Sequence, residues 1–197
     1  MTRMYFNGKA DIWDEKIAEK DNGRLENMAQ RLDIKPGSKV LDVGTGTGVF
    51  VPFLLGKIGK KGRLVCLDFA EEMLKKARAK DFKGNIEYVC ADIASTRFGD
   101  ETFDTVVCYS SFPHFQDKPK ALKEIRRVLK RGGNLFICHT SSRVSINQIH
   151  QQIPELSNDI IPIEREMRQL LSSAGFTGIT IFEGTNSYLA NASKSAS

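Results

Sequence analysis

The stretch Lys39-Val-Leu-Asp-Val-Gly-Thr-Gly-Thr-Gly-Val49 sets the terms for the rest of the chain. Val40, Leu41 and Val43 form a run that is apolar without alternation, so it reads as a strand buried on both faces. Gly44, Gly46 and Gly48 mark a tight turn at which backbone approaches something closely. The following run, Val49 to Leu55, reads as a packed helix over about 48–58, in which Pro52 is tolerable only near the first turns. A strand, a glycine turn and a helix in this order aim free backbone N–H groups at a ligand. A glycine loop that merely turns the chain is the plainer alternative. The spacing separates ligand classes: a dinucleotide fingerprint places its third glycine where Val49 stands. Asp42, two residues before the first glycine, would repel a pyrophosphate and suits a ligand with an ammonium group instead.

Two more acids stand in comparable places. Arg63–Asp68 reads as a second buried strand ending on Asp68, and Asn85–Asp92 as a third ending on Asp92. A single strand-end aspartate is an ordinary cap or turn residue. Three in register, the first joined to a glycine turn, point to one shared ligand beyond the carboxyl ends of the strands. Asp68 can accept two ribose hydroxyls, and Asp92 can accept an exocyclic adenine amine, with Phe69 and Ile93 against the ring faces. The ligand so inferred is a nucleoside with a cationic arm.

The remaining pattern alternates strand and helix. After a helix over 70–80 come a fourth strand at Phe103–Tyr109 and a helix begun by Pro119, with Leu122, Ile125 and Leu129 on one stripe. Arg131-Gly-Gly133 ends that helix, and a fifth strand follows at Asn134–His139. Residues 140–163 are irregular. A helix over 164–174, closed by Gly175, precedes two strands at 178–183 and 187–191 joined by a hairpin turn, and a Ser/Ala/Lys tail reads as frayed. Residues 1–35 read as two helices, with Tyr5, Phe6, Ile12, Trp13, Ile17, Leu25, Met28, Leu32 and Ile34 in partly helical spacing. Trp13 reads chiefly as a packing residue, and secondarily as part of a ligand-site closure. The chain is an α/β protein, a mostly parallel sheet with helices on both faces.

These segments resemble the class I S-adenosylmethionine-dependent methyltransferases, in the type 11 and quinone-biosynthesis group. Leu41-Asp-Val-Gly-Thr-Gly-Thr-Gly48 is similar to that family's first motif, and Leu67-Asp-Phe-Ala-Glu-Glu-Met-Leu74 to its acidic second-strand motif. Ala91-Asp-Ile93 is similar to its adenine motif, and the runs 103–115 and 121–133 complete the series. Arg131-Gly-Gly133 departs from the commoner Pro-Gly-Gly. The match spans roughly 36–140. The resemblance implies a Rossmann-like seven-stranded sheet with an antiparallel last strand, and S-adenosyl-L-methionine as cofactor. It implies Gly44, Thr45 and Gly46 against the methionine and ribose, and Asp42 at the amino end, directly or through water. It further implies Asp68 on the ribose, Phe69 and Met73 beside the adenine, Asp92 and Ile93 on the adenine, and Tyr109 near the methionyl end. Residues 1–197 would be one methyltransferase domain, with 1–35 a helical cap, 36–140 the cofactor core and 141–197 a substrate-side segment with the terminal strand pair.

Methyl transfer from a sulfonium is an in-line displacement in which positioning supplies much of the catalysis, and a weakly acidic acceptor also needs a base. The sequence has three histidines. His139 closes the fifth strand and His114 follows the fourth, where the family places substrate contacts, so these two are the catalytic candidates. His150 reads as a surface residue. If 143–150 is helical, His139, Arg143 and His150 lie together. Arg143 then suits an anionic acceptor, and no carboxylate or cysteine partner completes a metal set.

The four cysteines, Cys66, Cys90, Cys108 and Cys138, sit in apolar runs without CxxC spacing and read as buried thiols. No apolar run reaches membrane-spanning length and no signal segment opens the chain, so a cytoplasmic protein without membrane insertion is expected. The net charge of +5 comes from clusters without interleaved aromatics, which disfavours nucleic acid as partner. The expected function is methyl transfer to a small-molecule acceptor. The alternatives are an RNA methyltransferase and a cofactor-binding subunit without turnover.

Overall fold

The computed structural model describes residues 2–16 and 19–196. Its frame is a seven-stranded sheet, β1 Lys39–Val43, β2 Arg63–Asp68, β3 Ile86–Cys90, β4 Phe103–Tyr109, β5 Leu129–His139, β6 Thr177–Glu183 and β7 Tyr188–Ser193. The spatial order is β3-β2-β1-β4-β5-β7-β6. β1 to β5 pair in parallel, while β7 runs antiparallel to both of its neighbours, β5 and β6. The chain steps outward from β1 to β3 and then crosses back to β4, so the strand order reverses between β1 and β4. In an open α/β sheet that reversal opens a crevice at the carboxyl ends of the strands.

The continuous apolar runs are explained by two cores. Leu41, Val43, Val65, Val106 and Cys108 enter one hydrophobic cluster, while Val40, Leu64, Cys66, Val107 and Tyr109 enter the other. Successive residues point to opposite faces of a strand, so helices on both faces require apolar residues at every position. The helices are α1 Thr2–Lys9, α2 Trp13–Lys16, α3 Asn22–Arg31, α4 Val51–Ile58, α5 Glu71–Ala79, α6 Lys118–Val128, α7 Arg143–Gln151 and α8 Glu164–Ser173. Pro52 lies in the first turn of α4, where its missing N–H costs nothing. Gly175, at φ 86°, takes the left-handed conformation that follows α8.

Several boundaries differ from the sequence-based expectation. The N-terminal region has three α-helical segments and a 3-10 turn at Ala10–Ile12 rather than two helices; Ile17 lies outside the described residues. β3 stops at Cys90, and Asp92 instead caps a 3-10 turn, accepting from the Ala94 N–H at 2.8 Å. α6 ends at Val128, so Leu129 belongs to β5, and Gly132 and Gly133 lie within that strand. The glycines accommodate a register shift: Phe103 pairs with Leu129 but Thr105 with Asn134. The tail is held through Lys194, whose N–H donates to the Gly133 carbonyl at 2.9 Å. Cys66, Cys108 and Cys138 are buried free thiols, but Cys90 is exposed, because β3 is an edge strand. Among the described residues no helix is long and apolar enough to cross a membrane.

Candidate functional site

A cavity of about 390 Å³ lies over the carboxyl ends of the central strands. That is within the usual range for a small-molecule site. One wall is the glycine turn. The Gly44 and Thr45 N–H groups both donate to the Leu67 carbonyl, at 2.7 and 3.0 Å, which pins the turn to the end of β2. Gly44 has φ 71°, and a Cβ there would stand 2.3 Å from the Ser111 Cβ. Ser111 in turn donates its hydroxyl to the Val43 carbonyl, so this close approach spans the crevice between β1 and β4. Gly46, at φ 56°, has nothing within 4 Å of its Cβ position and leaves backbone open toward the cavity.

Asp68 lies at the end of β2 with its carboxylate on the cavity wall. It accepts the Gly46 N–H and the Ala70 N–H, each at 2.8 Å. Burial pushes its carboxyl up to about 6, against the pull of these two donors. Asp42 is also buried, and it stands behind the wall rather than on it. Its carboxylate accepts the Thr45 hydroxyl at 2.5 Å. Burial raises it to about 7, opposed by that hydrogen bond and reinforced by the nearby charge of Asp68. Asp42 therefore acts on the cavity through Thr45.

The other expected cofactor-side residues come together. Gly44, Thr45, Gly46, Phe69, Met73, Asp92, Ile93 and Tyr109 all line the same cavity. Tyr109 stacks on Phe50 at 4.4 Å, and its hydroxyl bonds with Thr140 at 2.9 Å. Phe6 and Trp13 also line the cavity, and Trp13 packs against Phe6 with ring centroids 5.5 Å apart. The N-terminal segment is held there by a Thr47 hydroxyl bond to Asp14, by the Asp14–Lys80 and Asp11–Lys76 ion pairs, and by Asn7 accepting the Glu72 N–H.

All three histidines reach the opposite wall. His114, His139 and His150 line the cavity together, which corrects the reading of His150 as a surface residue. His139 is 3% exposed, and its Nε2 has no hydrogen-bond partner. Burial, with the other two histidines nearby, drives its pKa down to about 3. His114 Nδ1 lies 2.9 Å from Asp159 Oδ2, and His150 Nδ1 bonds the Asp159 carbonyl. Burial lowers the His114 pKa while Asp159 opposes the shift. Arg143 is not part of this wall: its Nε donates to Glu183 at 2.9 Å. Asp159 was not foreseen, because it sits in an unpatterned segment with the look of a turn. Among the described residues no cluster of metal-ligating side chains forms.

The cavity suits a nucleoside with a cationic arm better than a nucleotide. Its charged lining residues are Glu19, Asp68 and Asp92, and among the described residues neither lysine nor arginine lines it. Open backbone at Gly46 and an Asp68 carboxylate with remaining lone pairs fit the ribose of S-adenosylmethionine, while Ile93, Phe69 and Met73 offer apolar surface to a base.

A family described as "Methyltransferase domain" matches residues 41–137. The ubiquinone/menaquinone biosynthesis C-methyltransferase UbiE of Haemophilus ducreyi is 30% identical over 176 residues, covering 76% of this chain and 68% of that protein. UbiE of Idiomarina loihiensis is 37% identical over 123 residues, 59% of this chain but 49% of that protein. The chain thus spans about half the length of the latter relative. A S-adenosylmethionine-dependent methyltransferase structure from Aquifex aeolicus superposes with TM-score 0.75 at 24% identity, covering 94% of this chain and 97% of that one. With the glycine turn, the strand-end acids and the sheet order in agreement with these matches, the chain belongs to the class I S-adenosylmethionine-dependent methyltransferases, in their quinone-biosynthesis-like group.

Proposed function

We propose that this protein transfers a methyl group from S-adenosylmethionine to a small-molecule acceptor with a quinone-type ring, acting in the cytoplasm as one domain over 1–197. The observation that carries this reading is the two-walled cavity, with a nucleoside wall on the glycine turn and Asp68 and a histidine wall opposite. The cofactor, when bound, supplies a sulfonium methyl group and leaves as a neutral thioether. In this reading Gly44, Thr45, Gly46 and Asp68 hold its ribose and methionine side, Phe69, Met73, Asp92 and Ile93 hold the adenine, and Tyr109 borders the methionyl end. Asp42 fixes Thr45 in place. His114 and His139 contact the acceptor. The names of the relatives support the ring class. A lining without lysine or arginine among the described residues speaks against an anionic or nucleic-acid acceptor.

The test is a mass screen of cell extract incubated with the protein and methyl-labelled S-adenosylmethionine. A labelled small molecule formed with one S-adenosylhomocysteine per methyl supports the reading. Cofactor binding without any labelled product would assign the chain to the non-catalytic alternative.

A further inference from the structure

We propose that Asp159 holds His114 and His150 as Nε2 bases, and that the acceptor is an uncharged aromatic ring whose hydroxyl proton His114 takes. This rests on the transferase reading above and adds the base and the acceptor's functional group.

The tautomers follow from the partners. A backbone carbonyl only accepts, so the ring atom facing the Asp159 carbonyl, His150 Nδ1, carries the proton. An ionised carboxylate likewise only accepts, so His114 Nδ1 donates to Asp159 Oδ2 at 2.9 Å. One residue thereby fixes both rings, with its side chain and its main chain, and each ring keeps its lone pair on Nε2. The rings lie 4.8 Å apart and both line the cavity. Phe6 packs edge-on against His114 at 4.8 Å and limits its rotation.

His139 is less suited to the task. Its imidazole is held far below neutrality by burial, and among the described residues its Nε2 has no hydrogen-bond partner to stabilise the protonated ring. Around His114 the charged and titratable groups are Asp159, His150 on α7, His139 on β5 and Lys118 on α6, so among the described residues Asp159 is the anion in contact with it that stabilises its protonated form. The absence of lysine and arginine from the described lining disfavours an anionic acceptor, and a cationic one would face the cofactor's own positive charge. That leaves an uncharged acceptor, and in the quinone-type ring proposed above the group with a removable proton is the O–H of its hydroquinone form, against Phe115 and Ile146. In the step, the hydroxyl proton passes to His114 Nε2 and the O–H bonding pair stays on the acceptor. The ring carbon made electron-rich by that oxygen bonds to the methyl carbon as the C–S pair goes to sulfur. That carbon's own proton then leaves to water as the ring regains aromaticity, and His114 returns its proton to the oxygen, so one proton is released per turnover.

The experiment combines long-range proton–nitrogen NMR on histidine-labelled protein with turnover of 1,4-naphthohydroquinone. The Nδ1–H tautomer is expected for His114 and His150 at neutral pH. Asp159→Asn should lower the His114 pKa and shift the acid limb of kcat/KM, while leaving the His150 tautomer unchanged because its carbonyl partner remains. His114→Gln should lower kcat/KM by about 10²–10⁴-fold, with cofactor affinity and thermal melting preserved. An Nε2–H tautomer at His114, or near-normal turnover in His114→Gln, would overturn the assignment of the base. Methyl transfer by the unaltered protein to carboxylate probes but not to the naphthohydroquinone would overturn the acceptor class. Failure to bind S-adenosylhomocysteine at all would instead strike the transferase reading, and the tautomer measurement would still decide the role of Asp159.

Discussion

The Gly46 N–H donates to the Asp68 carboxylate across 2.8 Å, and this bond closes the glycine turn of β1 onto the end of β2. That oxygen orients the turn, and in the proposed reading it also accepts a ribose hydroxyl. The neighbouring glycines divide the work differently. Gly44 supports the fold, since a Cβ there collides with Ser111, whereas the Gly46 Cβ direction leads into open cavity.

Alanine at these two positions should separate the roles. Both substitutions force a left-handed conformation on a residue with a Cβ, costing about 1–2 kcal/mol. Gly44→Ala adds the Ser111 collision and should lower the melting temperature well beyond Gly46→Ala. Gly46→Ala should fold and lose cofactor affinity. Equal melting losses in the two variants would contradict the division.

Acidity should act on stability through buried groups of opposite sign, the raised carboxyls of Asp42 and Asp68 against the depressed imidazoles of His139 and His114. The Asp42 pKa is raised by burial to about 7, so the stability that comes from its protonation in the folded state is complete below its ordinary value near 4 and is lost as pH rises from there through 7. The His139 pKa is depressed to about 3, so the folded state must keep it neutral and loses stability as pH falls below its ordinary value near 6.5. Without cofactor, melting temperature should rise between pH 8 and about pH 6.5, change little from there to about pH 4, where the gain from the carboxyls offsets the loss from the histidines, and fall below that. Asp42→Asn should raise stability at pH 8 by about 1 kcal/mol or more, roughly 2–4 °C, and flatten the alkaline side. His139→Gln should let the rise continue below pH 6.5, because the carboxyls then lose part of their opposing partner. An Asp42→Asn profile parallel to that of the unaltered protein would show that Asp42 is ionised without penalty.

The N-terminal helices give an optical readout. Trp13 is the sole tryptophan and lines the cavity, so S-adenosylhomocysteine should change its emission. Asp14→Ala removes the Thr47 bond and the Lys80 ion pair, and should speed hydrogen exchange over residues 2–16 while shrinking that emission change. Exchange as slow as in the unaltered protein would mean that the Phe6 packing, the Asp11–Lys76 pair and the Asn7–Glu72 bond hold the segment without Asp14.

What the sequence disclosed follows from how each segment is buried. β1, β2 and β4 were legible residue for residue, because both of their faces are covered and consecutive positions within each are apolar. β3 was read too long because it is an edge strand whose half-exposed pattern has no sharp end. The start of β5 was hidden by Gly132 and Gly133, which look like a break and are a register shift. Asp42 was legible as an acid at the site but not as one buried behind Thr45, since burial depth leaves no mark on a strand-end aspartate. Asp159 and His150 meet only through the irregular segment after α7, where no periodicity brings them together in advance.

The most direct measurement is a calorimetric titration of S-adenosylhomocysteine into the unaltered protein and into Asp68→Ala. A single site per chain is predicted, weakened in the variant by about 1.5–3 kcal/mol, the cost of removing a charged hydrogen-bond partner. The unaltered protein and Asp68→Ala binding with the same affinity would place the cofactor elsewhere and contradict the site on which the whole account stands.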